Sequence, residues 1–159
     1  MVLVDGVDIM TVPLPILRKR MCILPQEATM FSGTIRWNLD PEDKTSDEEM
    51  HRVLDLVNID KDLDDAVTEN GENFSLGERQ MICMARALLR NARIFMDEAT
   101  ASIDIQTDVM IQEMVRKNFG NCAMLTIVRR LHSTVMSGRV MVFYAGRLME
   151  MDEPITLID

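Results

Sequence analysis

The chain is poor in the residues from which specialised scaffolds are built. Its three cysteines, Cys22, Cys83 and Cys122, are odd in number and far apart, and each sits in an apolar run. That spacing argues against a disulfide framework or a thiolate metal site and reads as buried free thiols, hence a reducing cytosol. No apolar run approaches the roughly 18 residues needed to cross a bilayer, and no basic segment with an apolar stretch opens the chain, so a soluble polypeptide is expected. Internal repeats and low-complexity tracts are missing as well. Cations are outnumbered, with 17 Lys and Arg against 26 Asp and Glu and a net charge of −9. Such a chain is a poor partner for nucleic acid.

What is present is 47% hydrophobic content over 159 residues, enough for one core and too little for two. The acidity is concentrated: residues 40–72 carry thirteen carboxylates against Lys44, Arg52 and Lys61. Within that block "DKDLDD" at 60–65 has the acid spacing of a calcium loop. It lacks glycine at the sixth position and has Gly71 where the twelfth-position glutamate belongs, so it reads as a solvated polar face.

Hydropathy patterning points to an α/β architecture. "VLVDGVDI" is two β-rich arms around Asp5-Gly6, a hairpin signal. A short basic helix follows Pro13 and Pro15, and "MCIL" at 21–24 has strand length. Residues 47–57 read as a helix capped by Ser46, with Glu49 completing a capping box. In the next helix Met81, Ile82, Met84, Ala85, Leu88 and Leu89 share a core face, leaving Arg79, Arg86 and Arg90 on the other. "IFM" at 94–96 and "CAMLTIV" at 122–128 are continuous apolar runs, expected of parallel strands covered on both faces, with a helix between them that turns Ile111, Met114 and Val115 inward. "RVMVFY" and "RLMEM" form a last hairpin around Ala145-Gly146. The expected divisions are a hairpin, strand and loop over 1–37, an acidic helical part over 38–75, and the remaining helices, strands and hairpin over 76–159.

Ligands of such sheets gather at the carboxyl ends of the strands. Asp97 and Glu98 follow "IFM" directly, so two carboxylates leave the sheet together. An aspartate there can hold Mg²⁺ through its water shell, while the glutamate can polarise an attacking water. A solvated strand end is the plain alternative.

The run "NFSLGERQMICMARALLRNARIFMDEATASID" carries more. "FSLGERQ" resembles the signature motif of ATP-binding cassette (ABC) proteins, "IFMDEA" their Walker B and "ASID" their D-loop. "LPQEATMFSGTIRWNLDP" resembles their Q-loop region, with Gln26 at the glutamine. The wording is most similar to the second nucleotide-binding domain of C-subfamily, multidrug-resistance-associated transporters, and the motifs cover almost the whole chain in family order. The resemblance implies a partial P-loop NTPase fold of the ABC type: a mostly parallel sheet flanked by helices, with antiparallel hairpins and a shortened helical subdomain.

For function the resemblance implies binding and hydrolysis of ATP with Mg²⁺, coupled to export through transmembrane domains at the cytoplasmic face of a membrane. Glu98 would be the general base, and Asp97 and Gln26 would serve Mg²⁺. Ser75, Gly77 and Glu78, with Asp104 of the D-loop, would contact ATP bound to a second cassette in a head-to-tail dimer. Ser75 and Gly77 suit that task physically: they precede a helix whose free N–H groups and positive dipole end favour an anion, and glycine lets the backbone approach a phosphate. The same residues could equally be a plain helix cap.

Four departures qualify the expectation. None of the seven glycines is followed by lysine, so no G-x-x-x-x-G-K-[ST] phosphate loop is present. In the family that loop lies upstream of where this chain begins, and the chain alone is expected to bind MgATP poorly. "TIVRRL" puts Arg129 where the family's "TIAHRL" has the histidine that contacts the γ-phosphate; arginine still donates to phosphate but has no neutral acceptor state. The segment leading to Asp97 is one residue shorter than the family pattern, and the helical subdomain several. Three readings follow: part of an exporter's ATPase cassette, a truncated or degenerate non-catalytic cassette lending only a signature face, and, less favoured, a soluble ABC ATPase.

Overall fold

The computed structural model describes residues 2–4, 6–25, 27–90, 93–97, 105–119, 124–128, 134–135 and 137–157, with backbone alone at 93–97 and 105–107. It divides into two compact units, 1–126 and 127–159.

The first unit opens with β1 (Leu3–Val4) and β2 (Val7–Asp8), paired antiparallel with Val4 opposite Val7. Gly6 holds φ +78, the left-handed conformation the expected hairpin turn requires. α1 (Leu14–Arg20) has Pro15 in its first turn, where a missing N–H costs nothing, and Arg18, Lys19 and Arg20 in its last, where cations meet the negative dipole end. β3 (Met21–Leu24) follows directly. β4 (Gly33–Thr34) leads into α2 (Ile35–Leu39), whose N–H at Trp37 is capped by Thr34 Oγ1. α3 (Asp47–Leu56) starts at Ser46, whose Oγ accepts from the Glu49 N–H, and β5 (Ala66–Val67) returns to pair antiparallel with β4.

α4 (Leu76–Arg90) is the central element and lies against α2, α3, β3 and α5 (Ile105–Phe119). β6 (Arg93–Asp97) runs between β3 and β7 (Met124–Ile127) in a three-stranded sheet. β3 and β6 are parallel, with Met21 opposite Arg93 and Leu24 opposite Met96 in unbroken register. The strand–helix–strand order thus gives the expected α/β sheet, and Ile111, Met114 and Val115 of α5 are buried as foreseen. Cys22 and Cys83 are buried free thiols; Cys122 lies outside the described residues. The second unit contains β8 (Val140–Tyr144) and β9 (Arg147–Asp152), an antiparallel pair that turns at Ala145 and Gly146 with φ 47 and 75.

Three expectations are corrected. The sheet is not covered on both faces: Cys22 and Leu24 are 8% and 1% exposed, whereas Ile23 between them is 67% exposed. Leu125 and Ile127 of β7 are also exposed. β3 packs on α4 through Cys22 and Leu24, while Ile23 faces solvent.

Second, the capping box at Ser46 is half made. The Glu49 carboxylate pairs with Arg52 at 2.6 and 2.7 Å rather than with the Ser46 N–H, because a bidentate guanidinium one turn away competes successfully.

Third, Arg86 does not sit on a solvent face. α4 is buried all round from Gln80 to Ala85, and Arg86 turns its guanidinium into the junction with α2. Its Nε donates to Asn38 O at 2.5 Å, Nη1 to Thr29 O at 2.7 Å and Nη2 to Asn38 Oδ1 at 2.7 Å. A half-buried cation is tolerable when its donors are met, and here several are.

Candidate functional site

The turn before α4 is built by a loop that is tied down on both sides. Asn73 Oδ1 accepts from the Thr68 N–H at 3.0 Å and from Thr68 Oγ1 at 2.9 Å, and Asn73 Nδ2 donates to Ala66 O at 2.8 Å. Phe74 is 5% exposed and anchors the chain in the core, with Lys61 Nζ 5.5 Å from its ring centroid. An anchored Phe74 leaves the next residue no option but to face outward, and Ser75 is exposed.

Ser75 and Glu78 then form a reciprocal capping box. Ser75 Oγ accepts from the Glu78 N–H at 3.2 Å, and Glu78 Oε2 accepts from the Ser75 N–H at 2.8 Å. The hydrogen bond from the Ser75 N–H, helped by the Ser75 side chain and by Lys61, holds the Glu78 carboxyl below the usual glutamate range despite partial burial. Gly77 is half-buried one residue before it, in the first turn, where the helix supplies no acceptor for its own N–H groups. The plain-cap reading is therefore realised here, by the same groups that suit a phosphate. A helix N-terminus that favours an anion already has one, the Glu78 carboxylate.

The second locus is the strand tip. β3 ends at Leu24 and β6 at Asp97, one residue beyond the Leu24–Met96 pair, so the two chains leave the sheet at the same edge. Gln26, Glu98, Asp104 and Arg129 lie outside the described residues, as does the side chain of Asp97. Of the expected site residues, Ser75, Gly77 and Glu78 are thus seen together at the N-terminus of α4, and Asp97 by its backbone on β6. The contacts of Arg86 with Asn38 and Thr29 were not foreseen. The signal was the position of Arg86 inside "CMARALL", flanked by apolar residues on both sides.

A family model described as ABC transporter matches residues 1–101. The chain belongs to the ABC transporter family. ABC transporter C family member 12 of Dictyostelium discoideum is 46% identical over 98% of this chain and 12% of its own length. ATP-binding cassette sub-family C member 2 of Rattus norvegicus is 41% identical over 99% of this chain and 11% of its own length. The probable multidrug resistance-associated protein lethal(2)03659 of Drosophila melanogaster is 46% identical over 99% of this chain and 12% of its own length. The chain therefore spans about an eighth of the curated relatives it matches. The rat alignment runs over 165 positions against 159 residues here, so that relative carries at least six positions this chain lacks.

The structure of a bacterial Atm1-family ABC exporter with ATP bound superposes with a TM-score of 0.88 at 30% identity. The match covers 98% of this chain and 29% of that one. The fold is accordingly that of part of an ABC ATPase, and no helix among the described residues is long and apolar enough to cross a membrane.

Proposed function

We propose that this chain is the part of an exporter's ATP-binding cassette that serves two nucleotides at once. The observation that carries the reading is the outward-facing Ser75 at the N-terminus of α4, in a chain whose family match spans that turn. Ser75 and the first-turn N–H groups, Gly77 among them, close on the terminal phosphate of ATP held by a second cassette, head to tail. The dipole of α4 favours that anion, and Glu78 swings aside as it arrives. Asp104 supports the same face.

The chain's own site lies at the strand tip. Glu98 takes the proton of the water that attacks in line, and Arg129 donates to the γ-phosphate. Asp97 and Gln26 would hold Mg²⁺, which when bound neutralises charge on the phosphate oxygens. These roles require a G-x-x-x-x-G-K-[ST] loop, which the sequence does not contain. The bare sheet face at Ile23 supports the reading, since an exposed apolar strand face calls for a cover. Coupling to export through transmembrane domains, at the cytoplasmic side of a membrane, follows from the same assignment.

Arg129, where the family pattern has histidine, favours a second reading, a non-catalytic cassette that lends only its Ser75 face. ATP turnover by the full-length protein carrying this chain, with and without Glu98→Gln, separates the two. The first reading expects turnover to fall at least about 100-fold. Turnover untouched by the substitution contradicts it, and a protein with no turnover to lose supports the second.

A further inference from the structure

The contacts of Arg86 join elements that are distant in sequence. The guanidinium grips the backbone carbonyls of Thr29 and Asn38 together with Asn38 Oδ1, and its Nη2 lies 3.6 Å from Met30 Sδ. The Asn38 amide completes the grip, donating to Phe31 O at 2.7 Å and accepting from the Phe31 N–H at 2.9 Å. Thr29, Met30 and Phe31 are thereby locked to α4 and α2. Among the described residues the partners of Arg86 are neutral, so the fork is held by geometry rather than by a counter-charge.

Met30, 2% exposed, is the backstop of another segment. Gly71 holds φ +68 so close to it that a Cβ there would lie 2.7 Å from Met30 Cβ and 2.8 Å from Met30 Cγ. Gly71 in turn shapes the approach to Ser75: its carbonyl accepts from the Phe74 N–H at 2.9 Å. A continuous path of packed and hydrogen-bonded groups runs from Arg86 through Met30 and Gly71 to the turn that displays Ser75.

We infer that Arg86, with Asn38, is a positioning residue for the Ser75 turn, acting through Met30 and Gly71. The inference rests on the function proposed for that turn. Lysine in place of Arg86 keeps the charge but loses the fork, which frees Thr29 and Met30, and the Ser75 turn loosens with them. The path predicts that the consequence appears at the N-terminal end of α4, about three turns from the substitution, and spares helices that lie off it.

The test is hydrogen exchange and ATP turnover on the full-length protein carrying Arg86→Lys, with Gly71→Ala as a second variant that strikes the path at its other end. Amide exchange should rise about tenfold at 29–31 and at 71–75 while α3 keeps its protection. Exchange that rises only at 29–31, or equally throughout α3, overturns the inference, whether or not the protein hydrolyses ATP. Turnover gives an independent check: the loss caused by Arg86→Lys should vanish in a Ser75→Ala background, and an equal fold-loss in both backgrounds overturns it. Absence of turnover in the unsubstituted protein counts against the catalytic function alone, and the exchange pattern then decides the positioning role.

Discussion

Replacing Glu78 by glutamine should move stability and nucleotide affinity in opposite directions. In the capping box the Glu78 carboxylate accepts from the Ser75 N–H at 2.8 Å while Ser75 Oγ accepts from the Glu78 N–H at 3.2 Å. Glutamine keeps an acceptor oxygen but loses the charge. The lost charge assistance is worth about 1 kcal/mol and the lost attraction to the dipole of α4 a further 0.3–1 kcal/mol or so. A cost of about 1–2 kcal/mol corresponds to roughly 3–6 °C in the cassette's thermal midpoint. A phosphate arriving at the same helix end, however, no longer meets a carboxylate. At a separation of about 6 Å and an effective dielectric of 20–40, that repulsion is about 1–3 kcal/mol, so ATP affinity at this turn should rise roughly tenfold.

The pH dependence carries a sign that checks the same step. The folded-state pKa of Glu78 lies below its ordinary value of 4.5, so its contribution is complete above that value and is lost as pH falls through the lowered folded pKa. Wild type should therefore exceed Glu78→Gln in stability by a constant margin near neutrality, and the margin should close in acid. Differential scanning calorimetry from pH 7 down to pH 3, with ATP titrations on the same protein, measures both quantities. A variant that loses stability and affinity together would refute the reasoning, because the carboxylate would then be helping the phosphate rather than competing with it.

Two further outcomes test the framework around the turn. Asp40 ends α2, and burial raises its carboxyl pKa, but bonds from Thr45 Oγ1 at 2.7 Å and from the N–H groups of Lys44, Thr45 and Glu42 outweigh that and leave it lowered. Asp40→Asn should cost about 1–3 kcal/mol by urea titration at pH 7, with the deficit shrinking as pH drops below the carboxylate range; an unchanged deficit in acid would contradict it. Phe74→Ala should cost about 3–5 kcal/mol and raise protease sensitivity at 68–75, whereas a loss under 1 kcal/mol would show that Phe74 does not anchor the loop.

Much of this architecture was legible because local signals agreed with the fold. Asp5-Gly6 and Ala145-Gly146 announce hairpins through their glycines, and Gly6 and Gly146 adopt positive φ, as Ala145 does despite its Cβ. β3 and β6 were readable as apolar runs of strand length, and α4 through the period of Met81, Ile82 and Met84. Arg86 was misplaced because a one-sided helix was assumed, whereas α4 is flanked by α2, α3, α5 and β3 and Arg86 is half-buried against α2. Glu49 was misassigned because the Ser46 motif says nothing about Arg52, a stronger partner one turn on. Ile23 shows a different limit: an apolar run reports that a strand wants cover on both faces, not that the described residues supply it. The nucleotide-binding role proposed for the Ser75 turn is suggested only by its wording, since a capping box and a phosphate site draw on the same serine and the same helix end.

The central claim is that the Ser75 turn closes on a nucleotide held by another cassette. Nucleotide occlusion in the full-length protein, measured with radiolabelled ATP after Ser75→Arg, tests it most directly, because an arginine at that exposed position obstructs closure without touching the core. The account predicts that occlusion at the facing cassette's site falls while ATP still binds at the site containing Asp97 and Glu98. Occlusion that is unchanged, or lost only at the chain's own site, would contradict it.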